Sequence, residues 1–494
     1  MKQTTIKYFI ITSICLMAAA CTKNFDEMNT DPNKPTTAPS TNVLANSTYS
    51  IAATLFGERL GIFYEGFYAG HTAPGIAIAA SYEYRDEIVA GHWSSLYYAM
   101  NDLQKIVDQS AADGSLNMQA VALTLKVYAA QYLTDMWGDV PYTEAFKGEE
   151  GVTRPAYNTQ EEVYNAMFTE LETAANLFTQ NAIDGLGGGD ILLGGDVKAW
   201  QRFCNSLRLR LAIRISGVAP DKAASVLKSV LDNSADYPTL NEDENVSLKW
   251  VGASPYNDPW YTYLTSSANY YAMCSTVIDT LKAYNDPRLP VYAQRTTLSD
   301  PANPGLNDYA GLKSGEPSSS FSVSTVSKIG VKFGYTAAGF SPFMRYSEIC
   351  FIKAEALLKG LITSGNAESE YQKGIIASMK ENGITDYSAY LAKPSVAWSG
   401  TSADLTKVYL QKWLAIFKES AEAWSETRRT DVPVMSAVPY DYHGSHNRPP
   451  FRYPYPNSEL TLNGENISEH LTGLDNNDYF WGKQVWWDTR TGVH

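Results

Sequence analysis

The side chains best suited to hold a polar ligand crowd residues 250–271. Trp250, Tyr256, Trp260, Tyr261, Tyr263, Tyr270 and Tyr271 lie there, with Asn257, Asp258 and Asn269 between them. A sugar presents C–H faces that rest on aromatic rings, and its hydroxyls need amide, carboxylate or backbone partners. Pro255 and Pro259 interrupt the stretch. It therefore reads as neither a regular helix nor a strand, so its rings cannot all turn to one core stripe. Trp260, Tyr261, Tyr263, Asn269, Tyr270 and Tyr271 are the expected ligand contacts. Tyr82 and Tyr84, beside Glu83 and Arg85, are the expected second wall. The competing reading is that these rings pin the loop scaffold.

Catalytic constellations are weak by comparison. The Gly-rich run over 181–196 has no Gly-Lys-Ser/Thr and no apolar strand before it, so it is neither a P-loop nor a dinucleotide turn. Gly187-Gly188-Gly189-Asp190 resembles a calcium-binding turn, but such turns work in repeated arrays; it reads as a connector with helix caps. His443 and His446, next to Asp441, sit in an irregular Pro/Tyr loop with no third ligand indicated, and read as surface polar residues. No Ser/His/Asp or Cys/His signature can be placed among the 6 histidines. A glycosidase pair of carboxylates can be neither located nor discarded among the 53 acidic residues. Glu348 and Glu355 recur at helical spacing beside Arg345 and Lys353, which makes ordinary ion pairs the expectation. No catalytic residue, cofactor or metal is called for.

The elements that must position the aromatic stretch read as mostly helical. In 196–216, Trp200, Phe203, Cys204, Leu207, Leu211 and Ile215 form one stripe, and Asp196 after Gly194-Gly195 stands at an N-cap. Val121, Leu125, Tyr128 and Tyr132 form a second. Trp413, Ile416, Phe417, Ala421 and Trp424 form a third, ending near Pro433. Residues 221–231 and 345–359 also read as helices, and 321–333 as a hairpin region. Long turn-rich stretches at 67–92, 181–195, 237–271, 287–342 and 432–494 separate them; loops of that length usually carry function. Across 494 residues the net charge is −14, which lacks the basic footprint of a nucleic-acid binder. The 33 Tyr and 11 Trp favour an extended recognition surface.

The N-terminus predicts export. Lys2 and Lys7 precede an apolar run from Tyr8 to Ala20, shorter than the ~20 residues of a spanning helix. Ala18-Ala19-Ala20-Cys21 resembles a lipobox with Ala18 in the usual Leu place, so Cys21 is the expected lipidation site. An ordinary signal peptide is the alternative. Asp31-Pro32, Lys34-Pro35 and Ala38-Pro39 make the following run an extended tether. Cys204, Cys274 and Cys350 have no close spacing and read as buried free thiols.

A family resemblance runs the length of the chain. Asn24-Phe25-Asp26-Glu27-Met28-Asn29-Thr30-Asp31-Pro32-Asn33 resembles the start of SusD/RagB-type lipoproteins, nutrient-binding proteins of the Bacteroidota outer membrane. Asp135-Met136-Trp137-Gly138-Asp139-Val140-Pro141-Tyr142, Gly195-Asp196-Val197-Lys198-Ala199-Trp200 and Asn205-Ser206-Leu207-Arg208-Leu209-Arg210 are similar to family motifs. So are Asn285-Asp286-Pro287-Arg288-Leu289-Pro290, Met344-Arg345-Tyr346-Ser347-Glu348, Glu422-Ala423-Trp424-Ser425-Glu426-Thr427-Arg428-Arg429 and Arg452-Tyr453-Pro454-Tyr455-Pro456.

The resemblance implies a mainly α fold of TPR-like helix pairs carrying long irregular loops and few short strands. It implies a signal peptide over 1–20, a lipidated tether over 21–40, and one domain over 41–494. Within that domain the scaffold would occupy 41–236 and 343–431, a loop-rich ligand-facing insert 237–342, and an irregular C-terminal region 432–494. It further implies a non-catalytic surface lipoprotein of the outer membrane that captures oligosaccharide or another nutrient for a SusC-like TonB-dependent barrel. A surface glycoside hydrolase and a peptide-binding lid of the same architecture are the alternatives. Trp200, Arg208 and Arg214 belong to the implied framework rather than to a ligand site.

Overall fold

The computed structural model describes residues 38–74, 86–266, 271–297, 308–313, 322, 324–435, 446–471 and 481–494. Helices dominate. The first half runs α1 (Ser40–Leu55), α2 (Asp86–Asp113), α3 (Leu116–Trp137), α4 (Gln160–Thr179), α5 (Val197–Arg214) and α6 (Pro220–Leu231). Each packs on its sequence neighbour, and short turns join α2 to α3 and α5 to α6. The short helix α7 (Pro259–Ser266) follows, then α8 (Tyr346–Leu358), α9 (Ala367–Glu381), α10 (Ala403–Ala415) and α11 (Ser420–Thr430). Strands are short and pair in twos: β1 (Thr72–Pro74) with β5 (Tyr271–Met273), β2 (Val140–Pro141) with β3 (Tyr157–Asn158), and β4 (Asn245–Lys249) with β6 (Phe340–Arg345), all antiparallel. Among the described residues, no helix is long and apolar enough to cross a membrane.

Local chemistry explains the boundaries. Asp196 caps α5 by accepting from the Ala199 N–H at 3.0 Å. Thr159 and Glu162 form a reciprocal capping box on α4. The Gly-rich connector is organised by Asp190, whose carboxylate accepts from the Leu192, Leu193 and Gly195 N–H groups and from Trp200 Nε1 at 2.7 Å. A Cβ on Gly189 would collide with the Thr41 carbonyl, so this loop lies directly on the start of α1.

Two expectations are corrected. The stripe from Trp413 to Trp424 is broken between α10 and α11, where Lys418 takes φ 78° and turns its side chain inward. The 321–333 hairpin is not formed by its described residues: Val331–Gly334 is a helical turn, and only Ile329 makes an isolated bridge, to Ala293. Phe321 lies outside the described residues.

The framework is held by buried ion pairs as much as by apolar packing. Arg210 of α5 donates to Glu348 of α8 from Nε (2.8 Å) and Nη2 (2.5 Å), and from Nη1 to the Tyr132 hydroxyl of α3 (3.2 Å). Arg214, one turn on, grips Glu422 (2.6 Å) and Glu426 (2.7 Å) of α11. Arg429 clamps Glu355 of α8. Glu348 and Glu355 are thus ion-paired as expected, but with arginines from distant helices rather than with Arg345 and Lys353. Arg345 pairs with Glu381 and Glu419 instead. The pairs of Arg210 and Arg214, and that of Arg345 with Glu419, are buried and therefore fix geometry strongly, since removing one partner strands a charge.

Cys204, Cys274 and Cys350 are buried free thiols. Burial pushes the Cys204 thiol up to about 11 and the Cys350 thiol up to about 12, so both stay protonated and inert.

Candidate functional site

The structure divides the aromatic stretch in two. Pro259 opens α7 rather than preventing it: a proline in the first helical turn costs no hydrogen bond. Asp258 supplies the cap, accepting from the Trp260 N–H at 2.8 Å. Trp260 and Leu264 then face inward, and Trp260 is fully buried edge-on to Phe417. The expectation that 250–271 forms no regular element is therefore corrected, and the Trp260 ring belongs to the core. Tyr271 is also buried, in β5 opposite Pro74. Tyr261 is half-buried and Tyr263 exposed on the outer face of α7. Tyr82, Tyr84, Asn269, Tyr270 and Cys21 lie outside the described residues, as do Asp441 and His443. His446 stacks on Trp481 at 4.2 Å. Among the described residues no three His, Cys, Asp or Glu side chains are grouped to hold a metal ion.

The other half of the stretch builds a cleft of about 570 Å³. Its floor is Tyr49 of α1 and Trp250, which follows β4. Its rim holds Asn42, Asn46, Lys249 and Tyr256. Tyr49 meets Trp250 edge-on at 5.8 Å and Tyr256 edge-on at 5.8 Å, so three rings define one aromatic corner. Trp250 is locked by Nε1 donating to Ser341 Oγ at 2.9 Å and by its N–H donating to the Gly339 carbonyl. Tyr256 hangs on a tight turn: its N–H donates to the Ala253 carbonyl, and its carbonyl accepts from Gly252. Gly252 has φ 81° and sits where a Cβ would meet Ala338 at 2.7 Å, so no other residue fits that turn. Tyr256 is 51% exposed, an unusual state for a ring this well braced.

Asn42, Asn46 and Tyr49 fall at i, i+4 and i+7, on one face of α1. The opposite face, with Leu44, Ile51 and Leu55, is in the core. Both asparagines are exposed, and Lys249 is exposed beside them. The corner thus offers ring faces and edges for C–H groups, and amide and ammonium groups for hydroxyls. Sequence reading reached Trp250 and Tyr256 as members of the aromatic stretch. It missed Tyr49, Asn42 and Asn46. The signal available was an Asn-Asn-Tyr stripe on the outer face of an otherwise apolar helix.

The strongly shifted titratable groups lie elsewhere. Burial lifts Glu65 to about 8 and depresses His71 to about 3. Both are sealed in the core, away from the cleft.

A helical-pair scaffold that braces an aromatic corner beside amide side chains has the form of a carbohydrate-binding protein. The family comparison gives the class its name: residues 32–456 match the SusD-like family described as "Starch-binding associating with outer membrane", and the chain belongs to that family. It is similar to a solved chitin-binding protein at 27% identity, with TM-score 0.79, covering 92% of this chain and 100% of the other. It is similar to a chitin-binding SusD homolog from Flavobacterium johnsoniae at 25% identity, TM-score 0.78, covering 91% and 99%. A SusD homolog from Bacteroides fragilis NCTC 9343 is 26% identical with TM-score 0.76, covering 91% and 99%. A search of curated proteins finds no match to the chain.

Proposed function

We propose that the protein is a cell-surface nutrient-binding lipoprotein that captures oligosaccharide without turning it over and delivers it to a SusC-like TonB-dependent barrel. The observation that carries the ligand class is the Tyr49–Trp250–Tyr256 corner with Asn42 and Asn46 on its rim. Neutral, hydroxyl-rich chains with stackable C–H faces match it. Two relatives named as chitin-binding make chitooligosaccharides the first ligands to try. Tyr261 and Tyr263, on the outer face of α7, are a second proposed contact surface; Asn269, Tyr270, Tyr82 and Tyr84 are kept as proposed contacts on the sequence alone.

The anchor in this reading is the lipidated Cys21. From there to Ser40 an extended chain at ~3.1 Å per residue reaches on the order of 60 Å, enough for the folded body to sit over a pore. Isothermal titration of the purified chain with chitohexaose, maltohexaose and a mixed peptide pool tests the ligand class. Saturable binding of an oligosaccharide with no shortened products is the expected result. Binding of peptides alone, or release of shorter sugars, defeats the proposal.

A further inference from the structure

A smaller cavity, of about 140 Å³, opens between α4 and α6, both of which pack on α5. Phe168 and Glu172 of α4, Arg208 of α5, and Lys222, Ser225 and Ser229 of α6 are among its walls. Lys222, Ser225 and Ser229 fall at i, i+3 and i+7, on one face of α6. The cavity shares no wall residue with the aromatic cleft. It is well short of the ~300 Å³ that holds a drug-sized ligand, so it suits a small ion rather than a sugar chain.

Arg208 is 5% exposed, yet its hydrogen-bond partners among the described residues are neutral. Nη1 donates to Asn205 Oδ1 (3.2 Å) and Nη2 to Ser229 Oγ (3.2 Å), and the guanidinium lies 4.9 Å from the Tyr237 ring centre. Arg210, Arg214, Arg288, Arg345 and Arg429 each face a carboxylate instead. The bond to Ser229, itself a wall residue, brings the guanidinium end of Arg208 to the cavity. Its Nε makes no hydrogen bond among the described residues and is not sealed from solvent. A guanidinium this deep without a counter-charge is costly, and an anion in the cavity offsets that cost.

The other walls refine the match. Lys222 is exposed and adds a second positive charge; its Nζ lies 5.6 Å from the ring centre of Phe168, across the cavity on α4. The Ser225 hydroxyl is exposed and unengaged among the described residues. Arg208 Nε, Lys222 Nζ and Ser225 Oγ thus offer three donors, which suit a tetrahedral oxyanion better than the two oxygens of a carboxylate. Glu172 selects among oxyanions. Its exposed carboxylate accepts from an anion that keeps a proton and repels one that has none. At neutral pH inorganic phosphate keeps a proton and sulfate does not. A phosphate monoester, with its second pKa near ~6, has mostly lost its own.

We propose that this cavity binds inorganic phosphate, with its oxygens on Arg208 Nε, Lys222 Nζ and Ser225 Oγ and its O–H donating to Glu172. Isothermal titration of the full chain with sodium phosphate, sodium sulfate and D-glucose 6-phosphate, at low salt and slightly alkaline pH, tests it. Saturable phosphate binding is expected, with sulfate and the ester weaker by about tenfold or more. Because Arg208 also braces Asn205 and Ser229, the variants are placed at the two exposed positions. Glu172→Gln removes the repulsion, so sulfate affinity rises toward that of phosphate. Lys222→Gln weakens phosphate binding several-fold, and the difference shrinks at high salt. The proposal is overturned by no saturable phosphate binding, or by sulfate binding the unaltered chain as tightly as phosphate. A phosphate affinity unmoved by Lys222→Gln, or a phosphate preference unmoved by Glu172→Gln, overturns it equally. Oligosaccharide binding at Tyr256 uses none of these residues, so the two sites fail separately.

Discussion

Lys418 Nζ donates to Asp258 Oδ2 at 2.6 Å, and both side chains are buried. Lys418 also reaches the Phe333 carbonyl at 2.9 Å and lies 5.1 Å from the Trp260 ring centre. Burial pulls the Lys418 pKa down, and Asp258 opposes that pull. This contact joins the turn between α10 and α11 to the residue that caps α7, just after the loop that carries Tyr256. One ion pair thus links the helical scaffold to the segment that carries Tyr256 and α7.

Asp258→Asn should therefore cost about 3–5 kcal/mol, because it leaves a buried ammonium without its counter-charge while keeping the α7 cap. Asp308→Asn is the matched control. Its partner Lys282 is equally close at 2.8 Å, but both side chains are more than 40% exposed, so its loss should cost under about 1 kcal/mol. Urea unfolding of the two variants checks the contrast, and equal midpoints would refute the latch.

Tyr256→Ala and Trp260→Ala should behave as opposites. The Tyr256 ring is half exposed at the rim of the cleft, so its removal should leave the thermal midpoint within a degree or two. A lost stacking contact of about 1–1.5 kcal/mol should weaken oligosaccharide binding roughly tenfold. Trp260 is sealed in the core, so its truncation should cost about 3–5 kcal/mol of stability. Tyr261→Ala with Tyr263→Ala adds a third arm: weakened binding there with Tyr256→Ala silent would move the site to the outer face of α7. Calorimetric melts and binding isotherms on the same samples separate these outcomes.

How far the sequence carried these assignments depended on the range of the forces involved. The stripe on α5 and the Asp196 cap were legible because period and cap are local. The break at Lys418 was not, because the carboxylate that receives its side chain, Asp258, stands 160 positions away in the chain. Reading Pro259 as a breaker gave the wrong geometry for Trp260, since the same residue opens a helix once an Asp stands before it. The cleft was half legible. Trp250 and Tyr256 stood out by composition, whereas Tyr49 became part of it only when β4 and β6 paired beside α1.

Cys21→Ala should shift the protein from the membrane fraction to the soluble fraction, since a lipid on that residue is the only anchor in the proposed arrangement. Unmodified chain in mild-detergent extracts should bring down a large outer-membrane barrel. Fractionation in a strain without the barrel checks the anchor alone: Cys21→Ala protein still pelleting there would contradict lipidation at this residue.

Glu65 should contribute to stability in a way that falls with rising pH. It lies just after the π-helical segment Glu58–Tyr64, fully buried, with neither carboxyl oxygen hydrogen-bonded among the described residues. Desolvation raises its pKa from 4.5 to about 8, against the opposing pull of Arg428 and the Tyr453 hydroxyl. The folded state therefore holds this proton at pH values where the unfolded chain has already released it. The resulting stabilisation is complete below about pH 4.5, where both states are protonated. It is lost as the pH rises toward about 8, at ~1.4 kcal/mol per pH unit at most. Glu65→Gln keeps the shape of the protonated acid and cannot ionise. The variant should match the wild type near pH 5 and exceed it by a few kcal/mol near pH 9. Urea unfolding of both proteins across that range measures the difference directly, since titrations common to the two cancel. A difference that stays flat with pH would show that Glu65 is ionised throughout and held by Arg428.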